Sequence, residues 1–364
     1  MKENQTHTYY SNYLQLDNLL NTQNPKSLEY GDEAHEEMLF IIVHQAYELW
    51  FKQILHELRF IKKNLSSQNL IDEQLAECNL KLERIHKIQG LLLNQIDVLE
   101  TMTPMDFLEF RDLLVPASGF QSVQFREIEI GLGINESQRP DTKQYNFMGR
   151  LSKKDQERLM KASKEKSVFS LVQQWLERIP FLEDGNFQFW KSYQSSVTSM
   201  LKRDREIIEK NSTLDEEQKK LQLLNLDSTK KTFDAIMDST THDELKRQGK
   251  KRLSHKGVQA ALFILLYRNE ATMLQPFKFL QNLMALDENF TTWRYRHAQL
   301  AKRMLGTKIG TGGSSGHKYL KATAERNQIF EDISNLTTFL LPKSERPILP
   351  NELKDKLNYH FSGK

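Results

Sequence analysis

Apolar residues recur at spacings of three and four along almost the whole 364-residue chain, with no sustained alternation of period two bounded by hairpin turns. A strand pattern places side chains on alternate faces, so this chain has no material for a sizeable sheet and is predicted to be all-α. Local start signals agree. Thr103, Pro104 and Asp106 combine an N-cap, a proline at the first helical position and early negative charge, predicting a helix from about Pro104 to Leu114. Thr213 followed by Glu216 has the form of a capping box opening a second, polar helix.

With 38% hydrophobic and 27% charged residues the chain is globular. No proline- or glycine-rich linker isolates any segment, so residues 1–364 read as one domain. Residues from about 152 to 252 form a charged helical insertion, with runs such as Lys153-Lys154-Asp155 and Lys246-Arg247 read as solvated helix faces. Residues 8–22 form an apolar helical arm carrying Tyr9, Tyr10, Tyr13, Leu16 and Leu20; so short a helix is marginal alone and must dock on something.

Charge and cysteine usage exclude several function classes. A net charge of +3, from 51 basic and 48 acidic residues, offers no broad field to grip a phosphate backbone, so nucleic acid is not an expected partner. The single cysteine, Cys78, rules out an internal disulfide, a thiolate zinc cluster and covalent c-type haem attachment within one chain. A reducing cytoplasm is the expected location. The longest apolar run, Ala260 to Tyr267, is far too short to cross a bilayer.

Two histidines interrupt apolar helical stripes. In the segment from Glu36 to Lys63, too apolar for a surface helix, Phe40, His44, Tyr47 and Phe51 share a face; near the C-terminus Trp293, His297, Leu300 and Met304 share another. Each could be a hydrogen-bonded core histidine, yet two on separate helices suit a buried iron site with an apolar slot for haem. The other histidines have polar neighbours and are expected to be exposed. A di-iron bundle needs two Glu-x-x-His motifs; Glu83-x-x-His86 occurs once, and Asp32-x-x-His35 is a poor second copy.

After the His297 helix comes a loop, Gly306 to Gly316, rich in glycine and serine. It follows a helix and lacks Gly-Lys-Ser or Gly-Lys-Thr, so it is a ligand-approaching loop or a plain connector, not a nucleotide loop. Ser118 to Arg126 sets an arginine among apolar residues. Its fork suits a carboxylate, either that of a ligand or that of Glu129 at i,i+3.

Three segments together resemble the tryptophan 2,3-dioxygenase family: FIIVHQAYELWFKQI from Phe40 to Ile54, SGFQSVQFR from Ser118 to Arg126, and WRYRH ending at His297 with GTGGSSG from Gly310 to Gly316. Weaker similarity runs from about Tyr10 to about Pro342. The resemblance implies a haem-binding helical bundle, active as a cytoplasmic homotetramer with one b-type haem per subunit. It implies oxidative cleavage of the indole ring of L-tryptophan by dioxygen to N-formylkynurenine, the first step of the kynurenine pathway. His297 would be the axial ligand of the haem iron and His44 the distal residue near the indole nitrogen. Phe40 would wall the indole pocket, Arg126 would bind the substrate carboxylate, and Thr311 its ammonium and carboxylate end. Tyr10 and Tyr13 would complete the site from a neighbouring subunit. Val43 stands where threonine is common in the family, with no consequence for the chemistry. A non-catalytic haem sensor would use the same axial histidine but has no need of the carboxylate clamp.

Overall fold

The computed structural model describes residues 8–134, 148–306, 308 and 316–359. Helix makes up 75% of the fold and strand 1%, as the periodicity requires. The strand is a minimal hairpin, Glu183–Asp184 paired antiparallel with Phe187–Gln188 across Gly185, whose φ of 58° favours a residue without a Cβ.

The chain forms two compact units: Met1–His56, Ile85–Glu165 and Asn289–Asn327 in the first, Glu57–Arg84, Lys166–Glu288 and Gln328–Lys364 in the second. In the second unit the helix His255–Leu266 is apolar nearly all round and accordingly buried, which accounts for the long apolar run read in the sequence. Phe189 meets Phe263 of this helix and Tyr267 at its end edge to face, and the Tyr193 and Tyr267 hydroxyls each donate at 2.7 Å to a backbone carbonyl, of Phe339 and Pro347. Among the described residues, no helix is long and apolar enough to cross a membrane.

The first unit carries parts of the helices His35–Leu65, Asp72–Leu99 and Leu274–Leu305, together with Pro104–Arg111, Val123–Leu132 and Gly316–Arg326. His35–Leu65 opens with Glu36 and Glu37 and closes with Lys62 and Lys63, each sign at the helix end whose dipole it offsets. Glu37 also caps the preceding turn, accepting from the amides of Lys26 and Ser27 at 2.8 and 2.9 Å. The Thr103 cap forms as read: its hydroxyl accepts from the Asp106 amide and the Asp106 carboxylate accepts from the Thr103 amide, contributing about 1 kcal/mol. The helix it starts continues through a 3-10 turn, Asp112–Leu114.

Four expectations are corrected. The polar helix starts at Glu216 under a box made by Asp215 and Gln218, because the Thr213 hydroxyl donates to Asn211 Oδ1 and cannot turn to the helix. The arm is two short helices, Tyr10–Leu14 and Leu16–Leu19, broken at Gln15 with φ 54°. Neither buries a residue. The His44 helix is not buried all round: Met38, Ile42 and Leu49 lie exposed on it. Finally, His242 is a core residue at 1% exposure despite its polar neighbours, because its Nε2 donates to the Leu253 carbonyl at 2.9 Å.

Candidate active site

The two apolar stripes that carry His44 and His297 converge on one cavity of about 310 Å³ in the first unit. From His35–Leu65 come Phe40, His44, Tyr47, Glu48 and Phe51, spaced three and four apart so that one face looks inward. From Leu274–Leu305 come Trp293, Arg294, His297, Leu300 and Met304 at the same spacing. Val123–Leu132 adds Phe125, Arg126 and Glu129. This helix is aimed by Ser122, whose hydroxyl accepts from the Phe125 amide at 3.3 Å.

Aromatic rings set the walls. Phe40 lies 4.0 Å from the His44 ring, stacks on Phe107 and meets Phe110 edge to face, joining the small core of Ala34, Met102 and Phe110. Trp293 is ringed by Phe125 at 5.0 Å, His297 at 5.3 Å and Tyr47 at 6.0 Å. Such pairs each contribute about 0.5–1.5 kcal/mol beyond area burial and hold the stripes in one geometry. Tyr47 donates its hydroxyl to the Leu92 carbonyl at 2.7 Å, and burial pushes its phenol up to about 12, so it stays protonated.

The two histidines differ in what surrounds their nitrogens. Burial lowers the His44 pKa from the usual 6.5, so the ring is neutral. Its Nδ1 lies 2.7 Å from the Phe40 carbonyl oxygen. A carbonyl only accepts, so Nδ1 carries the proton and Nε2 keeps its lone pair. Burial, with a smaller contribution from His44, pushes His297 down to about 4. It too is neutral, and its Nδ1 is buried with no hydrogen-bond partner. A neutral, under-satisfied imidazole in an apolar wall is the chemistry an axial haem ligand requires, and these residues fit a haem. Cys78, the only thiol, is buried outside the cavity with its pKa raised to about 12, so no thiolate competes for that place.

For Arg126 the structure supplies the Glu129 partner that the sequence offered. It is 6% exposed, lines the cavity, and donates from Nη1 to Glu129 Oε2 at 2.6 Å. The other Glu129 oxygen accepts from Arg294 Nη2 at 3.2 Å and Asn327 Nδ2 at 3.5 Å. Reasoning from sequence missed Glu129 as more than a rival anion and missed Arg294 altogether. The available signal was spacing: Arg294 precedes His297 by three residues, on the same helical face.

Of the predicted site residues, His44, His297, Phe40 and Arg126 are brought together. Tyr10 and Tyr13 are not; they stand 70% and 75% exposed on the arm and do not line the cavity of their own chain. Thr311 and most of the glycine loop lie outside the described residues.

Comparison with known proteins agrees with the order and spacing of these segments. A sequence model of the family described as tryptophan 2,3-dioxygenase matches residues 1–340. Proteins named tryptophan 2,3-dioxygenase are 47% identical in Alteromonas mediterranea, over 99% of this chain and 100% of that protein, and 46% identical in Bdellovibrio bacteriovorus, over 97% and 98%. The Dictyostelium discoideum protein of that name is 43% identical over 97% of this chain and 89% of its own length. Similarity of this depth along nearly the entire chain, on top of a cavity built from all three motif segments, leaves one assignment: the chain belongs to the tryptophan 2,3-dioxygenase family.

Proposed function

We propose that this protein is a haem-dependent dioxygenase that opens the indole ring of L-tryptophan with dioxygen to give N-formylkynurenine, the first step of tryptophan degradation by the kynurenine route. Both oxygen atoms enter the pyrrole double bond, so the reaction balances without an external reductant. The observation that carries the reading is the pairing, in one apolar cavity, of a neutral imidazole lacking a hydrogen-bond partner with a buried arginine.

One b-type haem per subunit would be held by His297 and supply the activation of dioxygen that no side chain can provide. The chain's own residues then bind and orient the substrate. His44, with its proton fixed on Nδ1 by the Phe40 carbonyl, presents Nε2 as an acceptor for the indole N–H. Phe40 walls the indole, and Arg126 receives the carboxylate. Thr311 binds the ammonium and carboxylate end. The apolar lining keeps water out and raises the value of each polar contact.

We assign Tyr10 and Tyr13 to a neighbouring subunit's site within a homotetramer. Support comes from an arm that buries none of its own residues and from the exposed Met38, Ile42 and Leu49, apolar surface that a second copy would cover. Cytoplasmic location is supported by the lone, buried thiol.

The test is direct. Reduced, haem-loaded protein given L-tryptophan in air should form N-formylkynurenine, followed by its absorbance. A normal haem spectrum with no product would instead make this a haem or gas sensor. For the arm, Tyr10→Ala/Tyr13→Ala subunits mixed with His297→Ala subunits should regain part of the activity that neither has alone. No recovery in demonstrably mixed tetramers would return the tyrosines to their own subunit.

A further inference from the structure

The helix Val123–Leu132 is tied to the rest of the site near both ends. Toward its C-terminus Glu129 shares its carboxylate between Arg126 of the same helix and Arg294 of the helix that carries His297. In its first turn Gln124 reaches across to the helix His35–Leu65 and donates from Nε2 twice, to the Glu48 carbonyl at 2.8 Å and to Glu48 Oε2 at 2.9 Å. A carbonyl and a carboxylate only accept, so it is the nitrogen of the Gln124 amide, and not its oxygen, that must face Glu48. The next residue, Phe125, meets Phe51 with ring centroids 5.3 Å apart. An apolar contact of that kind is non-directional and tolerates sliding; two hydrogen bonds from one amide do not.

The two helices joined in this way carry the two groups that meet opposite ends of the substrate. Glu48 follows His44 by four residues and lines the same cavity, while Gln124 precedes Arg126 by two. His44 is held to its own helix by the Phe40 carbonyl at 2.7 Å, and Arg126 to its own helix by Glu129 at 2.6 Å. Each side chain therefore moves with its helix. The distance from imidazole to guanidinium is then set by how the helices are joined, and the Gln124 amide joins them within about one helical turn of each group.

We infer that Gln124 is a positioning residue for substrate recognition: by clamping Glu48 it sets the spacing between His44, the acceptor for the indole N–H, and Arg126, the partner of the carboxylate. This rests on the proposed function and deepens it. Gln124 acts through the two helices and not by touching the ligand. A ligand that presents both groups gains from a fixed spacing, because seating one end brings the other into place at little further entropic cost. A ligand that presents only one group gains nothing from it.

The experiment uses haem-loaded protein and four ligands. L-Tryptophan and indole-3-propionate present both the indole N–H and the carboxylate; tryptamine lacks the carboxylate, and 1-methyl-L-tryptophan lacks the N–H. Binding is read by calorimetry, haem content by the Soret band, and L-tryptophan turnover as separate kcat and KM values. Gln124→Met keeps the length of the side chain without its donors. It should retain haem, weaken both two-group ligands by about five- to tenfold and leave the one-group ligands within about twofold. For L-tryptophan kcat should fall as KM rises, since the indole is no longer held in register. Gln124→Asn, one methylene shorter, should fold and show a smaller loss of the same pattern, so it decides the matter if the methionine variant does not fold. Glu48→Gln keeps an acceptor at the same reach and should lose less than Gln124→Met; an equal loss would make the Glu48 charge the cause and overturn the inference. In an Arg126→Leu background Gln124→Met should add nothing further for L-tryptophan, because the group it positions is gone. Equal losses on all four ligands, loss of haem from a folded variant, no loss in folded variants, or full additivity with Arg126→Leu would also overturn it. Failure of the unaltered protein to make N-formylkynurenine would instead sink the proposed function, and the four-ligand binding pattern would still decide the clamp.

Discussion

Two pairs of histidines, one in each unit, separate burial from function. His242 and His255 lie 5.3 Å apart in the second unit, and both are anchored: His242 Nε2 donates to the Leu253 carbonyl at 2.9 Å and His255 Nε2 to the Ile236 carbonyl at 3.0 Å, while His255 Nδ1 accepts from Gln259 at 3.2 Å. His44 and His297 face a cavity; one has a single nitrogen engaged by its own helix and the other has a buried nitrogen with no partner. Burial lowers the pKa of His255 as it does those of the cavity pair. A lowered imidazole pKa is thus found in both units. What sets the cavity pair apart is its place on the cavity together with a His297 nitrogen that no group in the protein satisfies.

The largest expected effect breaks the comparison at its most functional member. His297→Ala removes the proposed axial ligand, so haem retention and turnover should both be lost; a purified variant with a normal Soret band and full activity would show that another residue binds iron. Arg126→Leu comes next. It should lower kcat/KM for L-tryptophan by roughly ten- to hundredfold, the equivalent of a charge-assisted contact of ~1.5–3 kcal/mol, and spare an indole without a carboxylate. Equal losses on both would leave Arg126 only a structural partner of Glu129.

His44→Ala should keep haem and reduce turnover partially, by about twofold to tenfold, since one neutral hydrogen bond to the indole N–H is lost. Complete loss of haem from this variant would reverse the assignment of the two cavity histidines. His242→Ala sharpens the other side: haem content and turnover should be unchanged, while chemical denaturation reads a loss of about 1–3 kcal/mol from the stranded Leu253 carbonyl. The smallest effect is in pH dependence. Because burial holds His255 below the usual 6.5, the unfolded chain binds the proton more tightly. Its contribution is intact above about pH 6.5 and is lost as pH falls below that value. His255→Gln should therefore flatten the decline in thermal stability between pH 7 and 5; an unchanged slope would mean that this imidazole is not held neutral.

Much of the site could be read from spacing alone, because a helix maps sequence onto faces without help from the rest of the molecule. Phe40, His44, Tyr47 and Phe51 were bound to share a face, as were Trp293, His297 and Met304, and the cavity stands where those faces meet. The reading failed where one local signal competed with another. Thr213 looked like a cap until Asn211 claimed its hydroxyl. His242 looked exposed because its sequence neighbours are polar, although its partner carbonyl is eleven residues away.

The sequence by itself determined the helical class, the inward faces of the two histidine helices and the family. Only the tertiary structure decided which polar groups are satisfied. That decision depends on pairs distant in the chain: Glu129 meets Arg294 across 165 residues and Asn327 across 198. Helical periodicity is a property of adjacent backbone units, whereas the hydrogen bonding of a buried group depends on everything packed around it. The spare nitrogen of His297 and the carboxylate that Arg126 shares with Arg294 become visible only once the helices are assembled.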